Sequence, residues 1–259
     1  MGPASTRETL LAGARAAEAA GLDDVWVVDH VAIPPDDAEG SGGRYLDPLT
    51  ALAWLAGATE RIGLGTAVLV VPYRPALPTA KAIATLQELS GGRLTLGLGV
   101  GWMAPEFRAL GVPREARGRI TDETLAKWRA WFANDQAEAN GQPFLFRPRP
   151  PKPPFLVGGQ PPHALERAAR LGDGWMPMSA DPEKLRPHAA RLRELAAEQG
   201  RGPLEIAVLG GLPLDDAGRA REQLAALAEI GVTRLALGGR YEKADEVARM
   251  AERLAALRA

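Results

Sequence analysis

Four short stretches carry residue types that could do chemistry. Asp29-His30 sets a carboxylate beside an imidazole, a group that ordinarily titrates near neutrality and can donate, accept or relay a proton. The alternative is a loop histidine satisfied by a backbone carbonyl. Thr66-Ala67-Val68 follows Gly63 and Gly65, and its small residues suit either a bulge against a planar ligand or close packing. Gly99-Val100-Gly101-Trp102 closes the run SGGRLTLGLGVGW at residues 90–102. There Gly97, Gly99 and Gly101 leave bare backbone at alternate positions, either for a flat ligand or for crowded neighbours. Gly158-Gly159-Gln160 leads into a helical pattern and can aim backbone N–H groups at an anion such as phosphate, aided by the helix dipole.

Other chemistries lack their residues. No Ser-His-Asp order, Walker loop or HExxH occurs, and GLGVGW lacks the GxGxxG spacing of a dinucleotide fingerprint. With no cysteine there is no thiolate nucleophile, disulfide or zinc–sulfur site, and His30, His163 and His188 are too few for a histidine-rich metal centre. No metal site is expected. Asp23-Asp24 and Asp36-Asp37 read as solvated loop carboxylates. Trp128, Trp131 and Met250 read as core.

The elements that must position these stretches alternate. A first helix, capped by Ser5 or Thr6 with Glu8 in its first turn, runs to Gly21. A short apolar strand at 25–28 ends at Asp29-His30, before loop-like residues 36–46. Helix 47–58 has Asp47 as cap and Pro48 at its first position. Strand 62–71 and helix 75–89 follow, with Pro78 confined to the first helical turn. After the glycine strand come a helical turn at 106–110 and an amphipathic helix at 117–132, with Leu125, Trp128 and Trp131 inward. Residues 134–154 form an irregular, proline-rich insertion with room for a short hairpin. Four further units follow: strand 155–157 with helix 161–171, strand 174–176 with helix 182–199, strand 204–209 with helix 216–230, and strand 233–237 with helix 242–257.

Seven strands, each followed by a helix, imply a parallel sheet, and 259 residues suit a single (β/α)8 barrel domain spanning 1–259. The first strand is apparently missing, since the chain opens on a helix and residues 1–4 are too few and too poor in β-formers to supply it: either it is lost, or the true start lies upstream, or something else closes the barrel. In such a barrel the ligand sits at the C-terminal ends of the strands, where all four chemical stretches fall. Hydrophobic residues at 46% and charged residues at 24% are ordinary for a buried core. A formal charge of -1 gives no electrostatic footprint for nucleic acid or an anionic membrane. No apolar run approaches a bilayer span and the N-terminus carries no signal pattern, so a soluble cytoplasmic protein is expected.

Three segments carry a resemblance to a known family. VWVVDHVAIP, then RIGLGTAVLVVPYRPALPTAKAIATLQELSGGRLTLGLGVGWMAPEFRALGVPREARGRITDE, then PPFLVGGQPPHALERAARLGDGW, resemble the bacterial luciferase-like family, and most closely its branch of coenzyme F420-dependent oxidoreductases. The match is most specific from Arg61 to Glu123. The resemblance implies a luciferase-like α/β TIM barrel holding a deazaflavin or flavin at its mouth. It implies a bulge with a non-proline cis peptide at Ala67-Val68, behind the ring. Asp29, His30, Thr66, Ala67, Val68, Gly99, Val100, Gly101 and Trp102 would surround the ring, Gly158, Gly159 and Gln160 would bind phosphate, and Trp175 would border the pocket.

The implied reaction is hydride transfer between coenzyme F420 and a small organic substrate, with His30 as the proton-transfer group. Members of the branch often place a glutamate just after the glycine strand. This chain has Trp102 there, and Glu106 is its nearest acid and second catalytic candidate. Two alternatives stand beside this reading. One is an FMN-dependent monooxygenase served by a flavin reductase, and the other is a non-catalytic flavin or deazaflavin binder. A homodimer, through helices 75–89 and 117–132, is the expected assembly.

Overall fold

The computed structural model describes residues 2–239 and 241–258. After α1 (Arg7–Ala19) the chain runs β1 (Asp24–Val27), α2 (Pro48–Ala56), β2 (Gly63–Val70), α3 (Ala76–Leu89), β3 (Leu94–Gly99), α4 (Ala104–Leu110) and α5 (Arg117–Ala133). A hairpin, β4 (Gln136–Ala139) and β5 (Gln142–Leu145), interrupts the alternation within the expected insertion. The rest is β6 (Phe155–Gly158), α6 (His163–Leu171), β7 (Gly174–Met176), α7 (Pro182–Glu198), β8 (Glu205–Gly210), α8 (Ala217–Glu229), β9 (Arg234–Leu237) and α9 (Ala244–Ala255).

The strands outside the hairpin form one parallel sheet in the order β1-β2-β3-β6-β7-β8-β9, a barrel one strand short of eight. Sheet order follows chain order, as expected when each strand is returned by a helix on the outside. Cap chemistry fixes the helix starts. Thr6 accepts a hydrogen bond from Thr9 N at 3.2 Å, and Asp47 accepts one from Thr50 N at 2.9 Å. Pro78 is the third residue of α3, where its missing N–H has no helical acceptor to lose. α6 starts at His163, two residues later than its sequence pattern suggests. Pro161 precedes Pro162 and is thereby kept out of the α region, and their bond is cis.

The core lies between the sheet and the helices. Trp128 is fully buried, donates its indole N–H to Ala76 O at 2.9 Å and meets Phe155 edge-on. Trp131 is buried as well. Met250 is not core; it is half-buried and borders a cavity beside β1 and β9. Because β1 and β9 are the sheet's edges, all four residues of β1 stay partly exposed despite their apolar run. Across this seam Arg234 donates to Asp24 at 2.5 Å and to Glu205 at 2.8 Å. Asp24 is therefore no solvated loop carboxylate: burial pushes its pKa up, against the pull of Arg234. Asp23, by contrast, is exposed. Among the described residues, no helix is long and apolar enough to cross a membrane.

One arginine ties the lower ends of α2, β2 and β3 together. Arg93 donates to Ser90 O at 2.7 Å, Ile62 O at 2.8 Å, Ala56 O at 2.8 Å, Thr59 O at 3.1 Å and Thr59 Oγ1 at 3.0 Å. Removing it strands several carbonyls. Arg93→Ala is expected to lower the unfolding free energy by roughly 2–4 kcal/mol, measured by urea denaturation. Arg93→Lys, which lacks the fork, should recover only a minor part of that loss.

Candidate active site at the barrel mouth

The β1 exit is fixed by two carboxylates pointing inward. Asp29 is buried and takes a bidentate pair of hydrogen bonds from Arg74 at 2.6 and 2.9 Å, with a third from Val70 N at 2.8 Å. Arg74 also donates to Asp47 at 2.8 Å, so the exits of β1 and β2 and the start of α2 share one charge network. Asp29 thus spends both oxygens on protein donors.

Glu106 does the same from α4. Its side chain is fully buried, with Oε1 accepting from Val31 N at 2.6 Å and Ala32 N at 3.0 Å. Oε2 bonds His30 Nδ1 at 2.9 Å and accepts from Tyr73 Oη at 2.9 Å. Burial alone would raise the carboxyl's pKa, but the hydrogen bonds from Ala32, Val31, His30 and Tyr73 outweigh it and hold the group below the usual glutamate range. The Tyr73 phenol is pushed well up, first by burial and then by its bond to Glu106, so it stays a donor. An ionised carboxylate offers no proton, which places the hydrogen of this contact on Nδ1 of His30. Nε2 makes no protein hydrogen bond among the described residues and is the atom left for a ligand.

The His30 ring is flanked by aromatic residues. Tyr45 lies 4.7 Å away between centroids, and Trp102 lies 6.3 Å away edge-on. Trp102 is 67% exposed, a large apolar surface held at the mouth.

The second group of candidates forms the floor. Between Thr66 and Leu69 the β2–β3 register slips by one residue, and the Ala67–Val68 peptide inside that bulge is cis. Thr66 is fully buried and donates its hydroxyl to Gly97 O at 2.8 Å. Val68 sits between two strands: a Cβ on Gly99 would lie 2.4 Å from Val68 Cγ2, and one on Gly158 would lie 2.9 Å from its Cγ1. A Cβ on Gly97 would strike Thr66 O at 2.2 Å. Gly101, at φ +78°, would bring one against Val70 and Phe107. The glycines of β3 therefore make room for the neighbouring protein, and the bulge lies directly on them. Val100 is half-buried beside them.

The loop after β6 is built differently. Gly159 is exposed at φ +123°, a conformation that glycine alone adopts freely. Its carbonyl accepts from Trp175 Nε1 at 3.2 Å, so Trp175, only 1% exposed, holds the loop from beneath and does not line open space. Gln160 is exposed and its carbonyl accepts from Ala164 N, while no side chain caps the start of α6. An uncapped nine-residue helix with a glycine turn before it fits a phosphate group.

These features lie at the C-terminal ends of the parallel strands, and the whole chain can be compared with known proteins on that basis. Residues 2–259 match the family model described as luciferase-like monooxygenase. The chain belongs to the luciferase-like family. An uncharacterized relative from Mycobacterium tuberculosis is 34% identical over 269 residues, spanning 96% of this chain and 93% of that protein. A 5,10-methylenetetrahydromethanopterin reductase from Methanolobus tindarius is 32% identical over 200 residues, spanning 75% of this chain and 57% of that one. The solved structure of an F420-dependent secondary alcohol dehydrogenase superposes with a TM-score of 0.79 at 18% identity, covering 95% of this chain and 92% of that one, a likeness of fold.

Within this luciferase-like barrel, sequence reasoning missed Tyr73, Arg74 and Tyr45. Tyr73 and Arg74 follow the end of β2 directly, so reading every strand exit alike would have found them. Tyr45 lies in a loop without periodicity and gives no such signal.

The Glu106 network makes a pH-dependent prediction. A carboxyl with a lowered pKa in the folded state contributes stability above its ordinary value of 4.5 and loses it as the pH falls below that value towards the folded pKa. Glu106→Gln is expected to cost roughly 2–4 kcal/mol at pH 7, because an amide presents N–H groups to existing donors. The gap to the parent protein should narrow below about pH 4.5, as read from denaturant midpoints across pH 3–8.

Proposed function

We propose that the chain is a one-domain oxidoreductase that binds coenzyme F420 at the barrel mouth and transfers a hydride between it and a small organic substrate. The observation that carries this reading is the His30–Glu106 pair, a single-tautomer imidazole with Nε2 left for a ligand beside an exposed tryptophan face. The reductase relative and the fold shared with an F420-dependent dehydrogenase support the deazaflavin as cofactor. When bound, the deazaflavin supplies hydride chemistry, and the protein supplies position and proton management.

The chain's own residues divide that work. Gly158, Gly159, Gln160 and the uncapped start of α6 hold the phosphate. The Ala67–Val68 bulge, seated on Gly99 and Gly158, forms the floor beneath the ring. Trp102 and Tyr45 flank His30 and offer aromatic surface to an apolar substrate. His30 Nε2 takes or gives the proton that accompanies hydride transfer at a carbon bearing oxygen or nitrogen. Glu106 is a positioning residue: with four donors on its two oxygens it fixes the imidazole and has no proton to give. Asp29 fastens the loop that carries His30 and does not touch the ligand.

Titration of the purified protein with F420 should quench cofactor fluorescence, with FMN binding far more weakly. Tight FMN binding without F420 binding would overturn the assignment in favour of a flavin monooxygenase served by a reductase. His30→Asn is expected to leave F420 affinity within the same order of magnitude while lowering turnover roughly 10²–10⁴-fold. An unchanged turnover number would remove His30 from the mechanism.

A further inference from the structure

The loop after β6 has few donors to offer an anion. Pro161 and Pro162 carry no N–H, so from the end of β6 to the first residue of α6 the backbone presents only the amides of Gly159, Gln160 and His163. Among the described residues none of the three has a protein acceptor. The next amide, Ala164 N, is already spent on Gln160 O.

The direction of the middle amide is set from below. Gly159 O accepts from Trp175 Nε1 at 3.2 Å, and the Gly159–Gln160 peptide is trans. In a planar trans peptide the carbonyl and the following N–H point to opposite sides. A carbonyl aimed down at a buried indole therefore turns the Gln160 N–H up, into the open space that the exposed Gln160 borders. Little else holds that peptide. Gly159 has no Cβ to resist its rotation, no side chain caps α6, and among the described residues Gly159 O accepts from no other donor. Trp175 is itself fixed. It pairs with Val157 and Ile206 in the parallel ladders, is 1% exposed, and meets the His188 ring edge-on at 6.1 Å.

We propose that Trp175 is the positioning residue of the phosphate site: its indole N–H locks the Gly159–Gln160 peptide in the orientation that offers the Gln160 N–H to a phosphate, without touching the ligand. This role rests on the reading that the cofactor's phosphate lies at this loop, and it is the same for a deazaflavin or a flavin phosphate. A peptide whose carbonyl already accepts a hydrogen bond is also the stronger donor, so lock and ligand reinforce each other.

Trp175→Phe keeps a buried ring and removes only the donor. Fluorescence titrations of parent and variant with F420 and the matching phosphate-free deazaflavin, and with FMN and riboflavin, give the phosphate's contribution as a ratio of affinities. With whichever cofactor binds, that ratio should fall about tenfold in Trp175→Phe. His188→Ala loosens the packing of the same indole but leaves its N–H, and should keep the parent ratio whatever it does to stability. A second measurement needs no variant to fold: in the NMR spectrum of the unaltered protein the Trp175 indole N–H should move downfield with the phosphate-bearing cofactor, and not with its phosphate-free form. An unchanged ratio in Trp175→Phe, an equal fall in His188→Ala, or an indole resonance that both forms move alike would overturn the role of Trp175 while leaving the cofactor reading in place. Failure of both F420 and FMN to bind would overturn the two together.

Discussion

The candidate site depends on one buried carboxylate. Glu106 collects four donors from two separate places in the chain: two backbone N–H groups and an imidazole from the β1 exit, and a phenol from the β2 exit. Burying a charge is costly unless its lone pairs are filled, and here the filling groups belong to the loops that shape the mouth. The stability of the ion and the geometry of the loops are therefore the same quantity. Any displacement of Val31, Ala32, His30 or Tyr73 leaves part of a buried charge uncompensated, so the loop from β1 cannot drift without a penalty. Asp29 repeats the device one step earlier, with Arg74 as its main partner. Together they turn what would be a mobile strand exit into a rigid platform for an imidazole.

The floor of the site rests on a steric constraint of the opposite kind. Bare backbone on β3 invites the inference that a ligand approaches it closely. At Gly97, Gly99 and Gly101 the space is instead taken by Thr66, Val68, Val70 and Phe107. What the glycines permit is the bulge in β2: one extra residue between Thr66 and Leu69 needs somewhere to put Val68, and glycines on both flanking strands provide it. The link from glycine to ligand is indirect, through the shape of the neighbouring strand.

Much of this was legible in the sequence, and the reasons differ by residue. Alternating apolar runs and helix caps such as Thr6 and Asp47 encode local structure, so every parallel strand and the hairpin insertion could be placed within a few residues. Asp29-His30 could be singled out because a charged pair ends an apolar strand abruptly. The partnership of His30 with Glu106 could not, since 76 positions separate them and only the closure of the barrel brings them together. The same applies to Asp24 and Arg234, 210 positions apart, whose pairing follows from the two sheet edges meeting. Trp175 shows a different limit. Its sequence context places it at a strand end, but whether an indole faces the pocket or supports it from behind depends on packing against α7, where His188 meets it edge-on.

The open seam connects these observations, because in a closed barrel each strand exit is held laterally by two neighbours. The β1 exit, which carries His30, has a ladder on one side only. Its missing lateral support is replaced by side-chain chemistry: Asp29 to Arg74, Glu106 to the backbone of Val31 and Ala32, and Asp24 to Arg234. Two ion pairs and one charge-assisted set of backbone hydrogen bonds thus gather around one four-residue edge strand. Charge-assisted bonds are directional and local, so they can fix the exit of β1 without filling the space beneath it. The two needs separate in space: the mouth is held by carboxylates, and the seam below remains open between two unpaired edges.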